Sequence, residues 1–179
     1  MSVETSSLPD PLAEQALAAW ENILHRADPV QADKLRVAAA VRPVSEQLAR
    51  ALSCSAFIAE RSKRKPGLLL EVLSGDFIQQ SLDEADFHAQ LAAALASEEL
   101  DLGSCLRGFR QRHMLRIIWR DFCRLADTRE TERDTSLLAE ACITEALSCT
   151  QAELEQRFGV PIGKDLSLIH ISEPTRRTP

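Results

Sequence analysis

The stretch Leu106-Arg107-Gly108-Phe109-Arg110-Gln111-Arg112-His113-Met114-Leu115-Arg116-Ile117-Ile118-Trp119-Arg120-Asp121 decides the fold class. It sits inside a longer segment, Leu102 to Ala126, that reads as one helix. The first half places Leu102, Leu106 and Phe109 on a narrow apolar stripe. The second half, Met114 to Leu125, is apolar on most of its circumference, so it must be packed on several sides. Leu106, Phe109, Met114, Ile117 and Trp119 are the expected core of this helix.

Working outward, the same periodicity recurs. Ala13, Ala16, Leu17, Trp20, Ile23 and Leu24 define a helix over 11–26, ended by Asp28-Pro29. A short helix is expected from Gln31 to Val41 and a longer one from Val44 to Lys63, stopped by Pro66. Leu68 to Leu73 forms another short helix, closed by Ser74-Gly75. Ser81-Leu82-Asp83-Glu84 reads as a capping box opening a helix that carries Phe87, Leu91, Ala94 and Leu95 on one face. A last long helix runs from about Glu132 to Phe158, where Gly159 and Pro161 end it. No stretch alternates at period two. The expected body is all-α, with about six helices joined by short loops.

Composition agrees. Ala, Leu, Glu and Arg are abundant, only six glycines are present and tyrosine is absent, a mixture that loses little on entering a helix. The 179 residues suit one domain with a substantial core. The net charge of −6 disfavours nucleic acid and anionic membranes unless basic charge is concentrated locally. No apolar run approaches the roughly 20 residues needed to cross a bilayer. The N-terminus carries no secretory pattern, so the five cysteines are expected as free, buried thiols and the expected compartment is the cytoplasm.

Basic charge is concentrated in one place. Arg107, Arg110, Arg112, Arg116, Arg120, Arg124 and Arg129 fall within 23 residues that hold only two acids, Asp121 and Asp127, a local charge of +5. Arg112, Arg116, Arg120 and Arg124 are spaced by four, along one face of the helix. Arginine offers planar, bidentate donors that suit carboxylate or phosphate. The ordinary reading of such a face is solvation or intramolecular pairing. The functional reading makes Arg107, Arg110, Arg112, Arg116 and Arg120 candidates for docking or for facing a phosphate. Nucleic-acid binding is disfavoured by the acidic chain and the lack of an aromatic stacking platform. Asp83, Glu84 and Asp86 read as a helix N-terminus rather than a metal site, and Cys142 and Cys149 as small core residues rather than zinc ligands. His113 sits among arginines, where its protonation is disfavoured. No catalytic, cofactor-binding or metal-ligating residue emerges from these patterns.

The segment 106–121 resembles the L-R-x-F-R-x-R-x-M-x-R-I-x-W element of the bacterial bifunctional glutamine synthetase adenylyltransferase/adenylyl-removing enzymes. The resemblance continues through Leu125-Ala126-Asp127, Ser136 to Ala141 and Phe158-Gly159-Val160-Pro161. Upstream it includes Ser55 to Glu60 with Pro66, so it covers roughly 50–165. It implies the helical N-terminal portion of a nucleotidyltransferase-type unit whose sheet is missing. In that family one unit removes AMP from a glutamine synthetase tyrosine by phosphorolysis and another attaches AMP from ATP. The resemblance further implies Mg²⁺ and ATP or ADP as cofactors of the full-length enzyme, held through a G-S-D-x-D motif. Its implied partners are glutamine synthetase, a PII-type signal protein in nitrogen regulation, and the nucleotidyltransferase domain in cis. No D-x-D triplet occurs in 1–165, so no catalytic residue can be carried over.

Leu166 to Arg176 resembles one reading frame of a transposon-end adapter used in sequencing libraries. The expected organisation is a disordered N-terminus at 1–10, a helical region at 11–165, and a foreign tail at 166–179. The tail contributes Glu173, Arg176 and Arg177, a net +1, so 1–165 carries −7. On this reading the chain stops short of a complete active site and is inactive alone. Two other classes stay open: a free-standing helical interaction module, and a nucleic-acid binder using the arginine face.

Overall fold

A computed structural model describes residues 4–6, 8–97 and 101–160. Among them are eight helices and no strand. These are α1 (Asp10–Arg26), α2 (Pro29–Ala39), α3 (Val44–Cys54), α4 (Ala56–Arg64), α5 (Pro66–Leu73), α6 (Glu84–Ser97), α7 (Leu102–Phe122) and α8 (Thr128–Phe158). The all-α expectation holds, with two more helices than expected. The foreign-tail reading of 166–179 lies outside the described residues, as do residues 1–3 and 7 of the expected disordered N-terminus.

The chain divides into two units, Met1–Cys142 and Ile143–Pro179. In the first, α1 packs on α3 and α4, α2 on α5, and α7 contacts α3, α4, α5 and α6. That many-sided contact is why the second half of α7 is apolar around most of its circumference. Leu115 and Trp119 are fully buried there, and the Trp119 indole Nε1–H donates to Gln47 Oε1 at 3.0 Å. Phe109 and Ile117 are also core, while Leu106 and Met114 are half-buried against it.

Helix boundaries follow side-chain capping. The expected helix over 44–63 is broken at Ser55, whose backbone is extended and whose hydroxyl accepts the Ile58 N–H at 3.3 Å, an N-cap in mid-segment. α7 ends at Phe122 rather than Ala126, because Arg124 adopts a left-handed conformation (φ 56°). α8 starts at Thr128 rather than Glu132, with the Asp127 carboxylate accepting the Glu130 N–H at 2.8 Å. The capping box is displaced by two residues: Asp83 Oδ1 accepts from Asp86 N–H at 2.9 Å and Asp86 Oδ2 from Asp83 N–H at 3.0 Å. Ser81, freed from capping, donates its hydroxyl to Glu130 Oε1 at 2.7 Å.

No disulfide links the described cysteines, and the expectation of burial holds for Cys105 alone: Cys54 is exposed, and Cys123, Cys142 and Cys149 are half-buried. Burial pushes the Cys123 thiol up to about 12. Among the described residues no helix is long and apolar enough to cross a membrane.

The second unit contains the remainder of α8. There Ile143, Leu147, Leu154 and Phe158 are exposed, separated by four, seven and four residues. That spacing aligns them along one side of the helix.

Candidate functional site

The candidate arginines do not form one surface. Arg116 is fully buried and Arg120 is 3% exposed. Both are used to hold the turn between α5 and α6. The Arg116 Nε–H donates to Phe77 O at 2.9 Å, one amino group donates to Gln80 O, and the other donates to Asp134 Oδ2 at 3.1 Å. Arg120 donates to Ile78 O at 2.6 Å, to Leu125 O at 3.2 Å and to Glu130 Oε1 at 2.8 Å. The physical reason is plain. Phe77 and Ile78 bury their side chains in this turn, and its carbonyls need donors that no helix ladder supplies. The planar fork of arginine provides several donors from one side chain. The i,i+4 row is therefore real, yet Arg116 and Arg120 face the turn and α8 rather than solvent or a phosphate.

The charges are balanced locally. Asp134 also accepts from Arg133 at 2.9 Å, so two arginines share one buried carboxylate. Burial lowers Arg116 from its ordinary value, and the hydrogen bond to Asp134 opposes that. Burial alone would raise the Glu130 carboxyl, but the Ser81 hydroxyl and Arg120 outweigh it and leave it lowered.

His113, one turn from Arg116, is fully buried among three aromatic rings. Its centroid lies 5.3 Å from that of Phe77, 5.1 Å from Phe87 and 4.2 Å from Phe109. Neither ring nitrogen has a hydrogen-bond partner among the described residues. Desolvation, with Arg112 and Arg116 adding repulsion, lowers its pKa to about 3. The imidazole is neutral at physiological pH, as its cationic neighbours suggest, but burial is the larger cause.

Arg107 and Arg110 are exposed and Arg112 is half-buried, and none forms an ion pair with another described residue. Arg107 donates to Ser104 Oγ at 2.8 Å, and the Arg112 guanidinium lies 4.1 Å from the Phe77 ring centroid. Arg107 and Arg112 line an open cleft of about 1320 Å³ between α5, its following turn, α6 and the first half of α7. Gly108 lies on the same wall, in mid-helix, and a Cβ added there would meet nothing within 4 Å. Glycine in a helix interior costs about 1 kcal/mol relative to alanine. Gly108→Ala is therefore expected to raise stability by about 1 kcal/mol and the melting midpoint by about 2–4 °C. A thermal melt showing a lower midpoint would mean that the site is not open.

Sequence comparison identifies relatives of this chain. The profile of the glutamate-ammonia ligase adenylyltransferase family matches residues 45–169. A bifunctional glutamine synthetase adenylyltransferase/adenylyl-removing enzyme of Hahella chejuensis is 45% identical over 114 residues, 63% of this chain and 12% of the relative. The enzyme of the same name from Pseudomonas aeruginosa is 39% identical over 121 residues, 66% of this chain and 12% of the relative. That of Shewanella loihica is 29% identical over 145 residues, 80% of this chain and 14% of the relative. The chain thus spans about an eighth of the length of these relatives. No solved structure matches it.

Proposed function

Because the chain belongs to the glutamate-ammonia ligase adenylyltransferase family, we propose that it is the helical N-terminal portion of the adenylyl-removing unit of an enzyme that adds AMP to, and removes it from, a tyrosine of glutamine synthetase. The observation that carries this reading is the family match over 45–169, which includes the whole arginine-rich helix α7. On this reading the full-length enzyme works in the cytoplasm with Mg²⁺ and ATP or ADP, and it responds to a PII-type signal protein.

The part played by this chain is architectural. Asp83 and Asp86 cap α6, and Asp134 and Glu130 pair with arginines. No group of three or more potential metal ligands lies together among the described residues. The described residues therefore do not fit a Mg²⁺ site, and no step through the metal is assigned to them. The exposed row Ile143, Leu147, Leu154 and Phe158 is an apolar face of the kind that another domain covers. We assign it to the nucleotidyltransferase domain expected in cis.

The test is direct. The purified chain is incubated with adenylylated glutamine synthetase, phosphate and Mg²⁺. The expected result is no release of ADP or AMP above background. Release would overturn the architectural reading. Sequencing the source DNA beyond codon 165 is expected to show a G-S-D-x-D motif, and its absence would overturn the assignment to the adenylyl-removing unit.

A further inference from the structure

We propose that the cleft between α5, α6 and α7 is a docking groove for an acidic polypeptide segment, received against the Gly108 wall of α7. This rests on the architectural reading and deepens it, since it adds a partner class and a site.

Size is the first argument. The cleft, at about 1320 Å³, exceeds the roughly 300–1,000 Å³ usual for small-ligand pockets. It is lined by the helix backbone at Gly67 and Gly108. At Gly108 the helix has a residue with no side chain, and no described atom lies within 4 Å of a Cβ added there. A partner backbone could approach α7 closely at that point.

Polar chemistry is the second. Gln80, Gln90 and Gln111 line the cleft. Each carboxamide both donates and accepts, the complement of a peptide group. The Gln111 Oε1 is buried without a hydrogen-bond partner among the described residues, so the Gln111 side chain must turn outward before this oxygen can accept from an occupant.

Charge is the third. Arg116 and Arg120 are consumed inside the fold, whereas the cleft cations Lys65, Arg107 and Arg112 form no ion pair within 4 Å among the described residues, although the Asp101 carboxylate feels the charge of Arg107. Glu71 and Asp76 also line the cleft, so its balance is +1. The two carboxylates belong to α5 and the turn after it, and the α7 wall contributes only positive charge. Phe77 and Phe109 supply an apolar floor. An occupant with carboxylates toward α7 and apolar side chains toward the floor satisfies both.

The experiment pans the full chain against a random dodecapeptide phage library, then measures the selected peptides by fluorescence anisotropy. Peptides rich in Asp and Glu with interspersed apolar residues are expected. Their binding should weaken in Gly108→Ala, fall at least tenfold in Gly108→Trp, fall likewise in Arg107→Glu, and weaken with added salt. Thermal melts check that each variant is folded. If Gly108→Trp does not fold, Arg107→Glu carries the test. Three results overturn the proposal: no enrichment, enrichment without acidic residues, or acidic peptides that bind both variants as well as wild type. The readout involves no AMP chemistry, so it can fail while the assignment to the adenylyl-removing unit stands, and the reverse.

Discussion

Asp134→Ala is expected to destabilise the chain by about 3–5 kcal/mol. The carboxylate is 2% exposed and the Arg116 guanidinium beside it is fully buried. Removing Asp134 leaves Arg116 charged, with its bonds to Phe77 O and Gln80 O but without its counter-ion. An uncompensated buried charge is the costly half of breaking such a pair. The loss compares with total stabilities of roughly 5–15 kcal/mol for folded domains, so denaturant unfolding would show it as a large shift in midpoint. Removing both charges, in Arg116→Met with Asp134→Leu, should cost less than Asp134→Ala alone, although two turn carbonyls then lose donors. Hydrogen exchange should also accelerate in the 77–80 turn of Asp134→Ala. A loss under about 1 kcal/mol would mean that water reaches Arg116 and that the pair behaves as a surface one.

This pair also shows what could and could not be read before the fold was known. Periodicity located α1, α5, α7 and the end of α8, because apolar spacing and Pro or Gly stops report local geometry. Phe109, Ile117 and Trp119 were legible as core for the same reason. The break at Ser55 was hidden inside a continuous helical pattern, since one hydroxyl capping one N–H leaves no mark on periodicity. The fate of the arginines was the larger omission. Spacing by four says that Arg112, Arg116 and Arg120 share a face, not what the face meets. Yet a signal was present. Arg116 and Arg120 lie within the Met114–Leu125 segment that is apolar on most of its circumference, and a charge inside such a helix must be paired. Asp134 and Glu130, one helix further on, were the available partners. The Phe77–Gln80 carbonyls were not foreseeable, because they depend on a non-local turn 36 to 42 residues away in sequence. The cleft was invisible for the same reason: Lys65, Gln90 and Gly108 become neighbours only through the packing of three helices.

His113 gives the second large effect, and its sign can be worked out. The imidazole pKa is about 3 in the fold against an ordinary value of 6.5. Between these values the unfolded chain binds the proton and the folded chain does not, so stability falls as pH falls. The contribution is complete above about pH 6.5 and is lost progressively toward pH 3. Between pH 7.5 and pH 5 the loss is about 2 kcal/mol, from roughly 1.5 pH units at 1.36 kcal/mol each. Glu130, whose carboxyl is lowered, acts in the same direction at lower pH, so wild type alone does not isolate the histidine. His113→Leu does. Leucine suits the cage of Phe77, Phe87 and Phe109, and it removes two buried nitrogens that have no partner. The variant is therefore expected to be more stable than wild type at pH 7.5, by about 1–3 kcal/mol, and to lose about 2 kcal/mol less on going to pH 5. Urea unfolding of both proteins at the two pH values measures the difference in slope. In parallel, the His113 ring signals in an NMR titration should stay in the neutral form down to pH 5. Equal slopes, with ring protonation near pH 6.5 in the folded state, would mean that His113 is hydrated and that the aromatic cage is open to solvent.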